Sequence, residues 1–141
     1  FVPRYEIVRM QEAIRQGAHE AILLNHRGEL TECAQSNLFA VLNGDVLTPP
    51  LDAGLLEGVT RNFLFEVGAD IGVPVCEAVL YEADFKKFDE LFITSTTREV
   101  IPVVRVGEQP IGSGRPGPIA SRLLDRFRDL AAALTRTKST D

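Results

Sequence analysis

The sequence predicts an α+β domain, or an irregular α/β one, on three observations. Short apolar runs bounded by turn residues recur along most of the chain. Two or three segments switch to a helical period instead. The order of the two kinds is mixed, not the regular alternation that builds a doubly wound sheet. At 141 residues the chain fits one domain, or one lobe of a larger enzyme. Its 45% hydrophobic and 25% charged residues exclude collagen, coiled coil and wholesale disorder.

Taken in order, Ile7, Val8, Met10, Ala13 and Ile14 recur at helical spacing and Gly17 follows, so residues 4–16 read as a helix. Glu20–Asn25 (EAILLN) reads as a buried strand, His26-Arg27-Gly28 as a turn, and Glu29–Cys33 as the returning strand. Asn37–Leu42 (NLFAVL) suits a packed sheet, and Asn43-Gly44 turns it into Asp45–Thr48, which Pro49-Pro50 ends. From Gly58 the period changes: Val59, Phe63, Val67 and Ile71 recur every fourth residue with Leu64 beside them, up to Gly72 and Pro74. Val75–Tyr81 is a strand candidate, Glu82–Phe88 a short helix or loop, and Glu90–Thr94 (ELFIT) a buried strand. Val100–Val106 reads as a strand across Pro102, and Gly107–Pro118 as a loop. Ile119–Leu134 reads as a helix with Ile119, Leu123, Leu124, Phe127 and Leu130 on its apolar face. Residues 1–134 are thus expected to form one domain and 135–141 a frayed tail.

Charge and cysteines narrow the function classes. The net charge of −5 argues against a nucleic-acid binder, which would show a basic face. No stretch reaches the ~18 apolar residues of a membrane span. Cys33 and Cys76 form neither a CxxC nor a disulfide framework, which points to a reducing, cytoplasmic setting. His19 and His26 lack a third ligand at metal spacing, so no metal is expected. The opening Phe-Val-Pro-Arg-Tyr-Glu has no initiating Met and no signal-peptide layout, so the chain is expected to begin partway through a longer protein.

Three places could carry chemistry. Gly58-Val59-Thr60 opens a helix, where the first amides have no intrahelical acceptor and the dipole favours an anion. A glycine and a threonine at a helix start are also common with no ligand at all. Ser95-Thr96-Thr97 follows a buried strand, and its hydroxyls and turn amides could cradle an anion or simply cap the strand. Glu32 ends a strand among small neighbours and could hold a cationic heterocycle, or be an ordinary exposed strand-end glutamate.

Read together and in order, these places resemble one family. Glu32–Phe39 (ECAQSNLF), Leu55–Arg61 (LLEGVTR) and Glu90–Val103 (ELFITSTTREVIPV) are similar to motifs of the class IV aminotransferases, and Gln11–Glu32 is similar to that family's run from helix into strand. These are fold-type IV pyridoxal-phosphate (PLP) enzymes: branched-chain aminotransferases, D-amino acid aminotransferases and aminodeoxychorismate lyases. The likeness runs from about Glu6 to Leu130. It implies the C-terminal domain of the D-amino acid aminotransferase-like fold, a mixed sheet or pseudo-barrel with flanking helices.

The resemblance also implies roles. Glu32 would hydrogen-bond the pyridine nitrogen of PLP, and keeping that nitrogen protonated makes the ring an electron sink. Leu56 would pack on the ring face. Gly58, Val59 and Thr60 would hold the phosphate, with Ser95 and Thr96 as the second phosphate turn. Thr97 would meet the substrate carboxylate, and Asn37 would be a structural hydrogen-bonder. Cys33 stands where branched-chain members have glycine, and Gln35-Ser36-Asn37 is closer to the D-amino acid and lyase branches. Transamination needs a lysine, first as Schiff-base partner and then as the acid/base. Lys86 and Lys87 lie in a polar segment and Lys138 in the tail, so the catalytic lysine is expected just before Phe1. A small N-terminal domain with further substrate contacts is expected there too, so the 141 residues alone should not turn over.

The function the resemblance implies is amino transfer between a small amino acid and a 2-oxo acid by a homodimer, with no nucleic-acid or membrane partner. Aminodeoxychorismate lyase is the same-fold alternative. A non-catalytic domain binding a phosphorylated ligand is the alternative from another class.

Overall fold

The computed structural model describes residues 22–33, 36–55, 58–95, 99–107 and 109–139. The expected helix at 4–16 and the first residues of the strand after it lie outside these. Strand β3 (Asn37–Leu42) and strand β4 (Asp45–Thr48) form the hairpin that Asn43-Gly44 announces. Asn43 (φ 53) and Gly44 (φ 86) both take positive φ, the backbone of a type I′ turn whose twist matches paired strands. Upstream, strands β1 (Ile22–Leu24) and β2 (Leu30–Cys33) form a separate antiparallel pair around the His26–Gly28 turn.

Helix α1 (Val59–Asp70) leads from β4 to strand β5 (Val75–Glu77), and β4 and β5 are the one parallel pair in the main sheet. A parallel pair needs such a crossover connection. Strands β6 (Glu90–Ser95) and β7 (Glu99–Val103) complete a five-stranded mixed sheet ordered β5-β4-β3-β6-β7. Helix α2 (Pro118–Ser139) covers the same face as α1.

The central strands are buried on both faces, which is why they read as continuous apolar runs. Leu38, Ala40, Leu91 and Ile93 pack with Leu24, Leu30, Phe85 and Phe88 on one face. Phe39, Val41 and Phe92 pack with Leu64, Val67 and Leu123 of the helices on the other. Phe39 and Phe92 stack with ring centroids 5.1 Å apart. The helices meet through Phe63 and Phe127, edge to face at 5.4 Å, and through the Arg126–Asp70 ion pair.

Three boundaries differ from the sequence reading. The strand expected over Val75–Tyr81 stops at Glu77, and a 3-10 turn occupies Glu82–Lys86. The strand expected over Val100–Val106 divides: β7 ends at Val103, and Arg105–Val106 (β8) pairs instead with Gln109–Pro110 (β9). The Ile111 amide donates to the Val104 carbonyl (3.0 Å), which turns the chain out of the main sheet there. Helix α2 continues past Leu134 to Ser139.

Candidate functional site

Helix α1 begins on Gly58, which is extended (φ −78, ψ 147) and, as a glycine, brings no side-chain cap of its own. Its first turn carries no acidic residue. Glycine at 58 has a contact reason: a methyl group at this position would meet Oδ1 of Asn37 and force that side chain to shift. Asn37 is the first residue of β3 and is 8% exposed. It pairs across the ladder with Thr94 of β6, next to the strand end at Ser95. One side chain therefore seats the start of α1 while its backbone is locked to the end of β6.

The third corner joins one residue before Asn37. Cys33, the end of β2, exchanges backbone hydrogen bonds with Ser36: Cys33 N to Ser36 O is 2.8 Å and the reverse is 3.4 Å. The residues flanking that bridge are Glu32 on one side and Asn37 on the other. Glu32 is half-buried.

A row of polar groups continues along this end of the sheet. Thr48 at the end of β4 donates its hydroxyl to the Leu38 carbonyl (2.7 Å). Arg61, in the first turn of α1, is 2% exposed and reaches across to β4 and β5. Its Nη2 donates to the Pro49 carbonyl (3.1 Å) and pairs with Glu77 Oε2 (2.8 Å), and its guanidinium lies 5.3 Å from the Phe65 ring centre. A buried cation is tolerable only with such partners. Arg61 thus fixes the first turn of α1 from one side, and Asn37 fixes it from below.

The approach to α1 is tied as well. Asn25 Oδ1 accepts from the amides of Arg27 (2.9 Å) and Glu29 (3.0 Å). Asn25 Nδ2 donates to Glu29 Oε1 (2.7 Å) and to the Ala53 carbonyl (2.9 Å). The β1–β2 hairpin is so bound to the 3-10 turn Leu51–Ala53. The Asn25 hydrogen bond, and then the one from Arg27 Nε (2.8 Å), hold the Glu29 carboxyl below its usual pKa.

Of the residues singled out from sequence, the structure brings Glu32, Gly58, the backbone of Val59, Thr60, Asn37 and the backbone of Ser95 to one end of the main sheet. Leu56, Thr96 and Thr97 lie outside the described residues. Lys86 and Lys87 stand apart: they precede β6, and the Asp89 amide donates to the Val41 carbonyl (2.8 Å) at the hairpin end of β3, the end away from Asn37. A cleft of about 250 Å³ lined by Glu82, Phe85, Lys86, Val106 and Gln109 also lies on the side where β6 begins and includes none of the site residues. Among the described residues no group of three His, Cys, Asp or Glu could hold a metal, and no helix is long and apolar enough to cross a membrane.

Sequence reasoning misses two residues of this region, Thr94 and Arg61, and a third at the opposite end of β6, Glu90. Thr94 reads only as the last residue of an apolar strand. Arg61 falls within a motif but has no role there. Glu90, at the far end of β6, accepts the amides of Ile119 (2.9 Å) and Ala120 (3.0 Å) at the start of α2. Only an absence could have flagged Glu90: Gly117-Pro118 offers that helix no local cap.

Comparison with known proteins assigns the family. The class IV amino-transferase family matches residues 6–106. A probable branched-chain-amino-acid aminotransferase of Synechocystis is 32% identical over 127 residues, 90% of this chain and 40% of that protein. A D-alanine aminotransferase of Listeria innocua is 38% identical over 122 residues, 86% of this chain and 42% of that protein. The solved branched-chain amino acid aminotransferase of Escherichia coli superposes with a TM-score of 0.82 at 34% identity, over 89% of this chain and 42% of that one. Another solved branched-chain amino acid aminotransferase, with pyridoxamine 5'-phosphate, superposes with a TM-score of 0.81 at 33% identity, over 88% of this chain and 41% of that one. The chain spans about two fifths of the length of the curated relatives it matches. It belongs to the class IV aminotransferases.

Proposed function

We propose that the protein carrying this chain is a PLP-dependent aminotransferase that moves an amino group between a small amino acid and a 2-oxo acid, and that these residues form most of the cofactor cradle. The observation that carries the reading is the double engagement of Asn37, seated against Gly58 and paired with Thr94. It puts the start of α1 beside the end of β6, the two corners the family uses for a phosphate.

The residues present suit PLP. A helix start with no acidic residue in its first turn favours a phosphate. Gly58 keeps the backbone clear where a Cβ would press on Asn37. In this assignment the amides of Val59 and Thr60 and the Thr60 hydroxyl hold the phosphate, Ser95 and Thr96 close it from the β6 side, and Leu56 covers the ring. Thr97 meets the substrate carboxylate. When bound, PLP supplies an electron sink for the charge that develops at the substrate α-carbon. The Glu32 carboxylate keeps the proton on the pyridine nitrogen by accepting its hydrogen bond. Asn37 and Arg61 hold the first turn of α1 in place, so the phosphate anchor does not drift during the reaction.

The proton at the α-carbon needs a lysine, and Lys86 and Lys87 are on the wrong end of β6 for it. The 141 residues by themselves are therefore expected not to turn over. The protein is further proposed to be a cytoplasmic homodimer. Cys33 and Cys76 are free thiols, and exposed Leu51, Val79, Tyr81 and Val104 offer apolar surface.

The test uses the complete polypeptide that carries residues 1–141, with PLP, an amino donor and 2-oxoglutarate. Amino transfer is expected, and Glu32→Ala should cut its rate far more than it lowers thermal stability. An unaffected rate would remove Glu32 from the ring nitrogen. Pyruvate released from aminodeoxychorismate, with no amino transfer, would replace the transaminase reading by the lyase one.

A further inference from the structure

We propose that the Thr94 hydroxyl is an additional ligand-binding group of the phosphate corner, donating to a phosphoryl oxygen directly or through one ordered water. This rests on the reading of the α1 start as the phosphate site. Buried side-chain polar atoms in native proteins nearly always have a partner, so an orphan calls for a cause. Among the described residues two buried side-chain atoms have none, Thr94 Oγ1 and Arg61 Nε. The Arg61 group is otherwise engaged by Pro49 and Glu77. Thr94 has only the one hydroxyl, is 1% exposed, and leaves it unmatched.

Its position says what the hydroxyl faces. Directly paired residues of antiparallel strands project to the same face of the sheet. Thr94 is paired with Asn37 on one side and Val100 on the other. Val100 is apolar and offers nothing. Asn37 reaches the start of α1, so Thr94 lies on the face that this helix start covers, one strand across from Asn37 and next to the end of β6. Folding alone gives no reason for threonine here. Valine has nearly the same shape, suits a strand as well, and would leave no orphan. A hydroxyl kept dry beside a helix N-terminus is what an incoming anion can use, because its hydrogen bond strengthens when the acceptor is charged.

The experiment compares Thr94→Val and Thr94→Ser in the complete polypeptide. Three quantities are read: the melting temperature of the cofactor-free protein, its rise on adding inorganic phosphate, and the dissociation constant for PLP by absorbance titration. Thr94→Val should melt at or above the parent temperature, since it removes an unmatched hydroxyl. It should also bind PLP about tenfold more weakly and lose most of the phosphate-induced rise. Thr94→Ser should bind PLP within about twofold of the parent, since it keeps the donor. Parent-like PLP affinity in Thr94→Val overturns the assignment of Thr94 and leaves the phosphate corner standing. Equal loss in both variants, with a lowered melting temperature, also overturns it, because packing and not the hydroxyl would then be responsible. A parent protein that binds no PLP, or a Thr60→Ala variant that binds it undiminished, removes the phosphate corner itself and the Thr94 role with it.

Discussion

Two helices start against the same sheet, and they start in opposite ways. Helix α2 opens on Gly117-Pro118, and its first amides are closed off by Glu90, a 6% exposed carboxylate 29 residues away from Ile119 in sequence. A methyl group on Gly117 would strike that carboxylate. Helix α1 opens on Gly58, which sits against the Asn37 carboxamide, and its first turn carries no acidic residue. Both helix starts carry the same partial positive charge. Where no ligand is needed a distant strand supplies a carboxylate to the helix start, and where a phosphate is expected the first turn of the helix holds none.

This contrast can be broken at either end. The largest effect on folding is expected from Glu90→Ala, which strands the buried amides of Ile119 and Ala120. Two charge-assisted hydrogen bonds at roughly 1.5 kcal/mol or more each put the loss near 3 kcal/mol in urea unfolding, with PLP affinity much less affected. At the open end the balance should reverse. Thr60→Ala combined with Thr96→Ala should weaken PLP binding by about 3 kcal/mol, roughly a hundredfold, with a far smaller change in unfolding. If the double variant holds PLP like the parent, the α1 start is an ordinary helix end.

Gly58→Ala sharpens the comparison further. The added methyl must push the Asn37 carboxamide aside, so about 1–2 kcal/mol of stability should go, together with PLP affinity. A variant that unfolds more readily yet binds PLP normally would separate Asn37 from the site. The smallest effect belongs to the hairpin tether. Asn25 and Arg27 depress the Glu29 carboxyl below its ordinary 4.5, so the tether contributes above that pH and its contribution fades as pH drops through the depressed value. Glu29→Gln should therefore melt below the parent at neutral pH and converge with it in acid. A difference that grows on acidification would contradict the sign.

What could be read from the sequence was local. The Asn43-Gly44 turn, the fourfold spacing in α1 and the apolar face of α2 each depend on residues within a few positions of one another, and each stands as expected. Glu32, Gly58 and Thr60 were legible through short motifs. The cap on α2 was not, because its carboxylate comes from a distant strand, and helix-start signals are local by nature. The end of β7 was missed because Val104 to Val106 keep their strand character and merely change partner. The orphan at Thr94 depends on ladder register and on what the facing helix leaves unfilled, and neither is encoded near residue 94.

The most direct measurement is an experimental structure of the complete polypeptide with PLP bound. It should place the phosphate oxygens on the amides of Val59 and Thr60, with the Glu32 carboxylate hydrogen-bonded to the ring nitrogen. A phosphate bound away from the start of α1, or a Glu32 carboxylate turned away from the ring, would contradict the account.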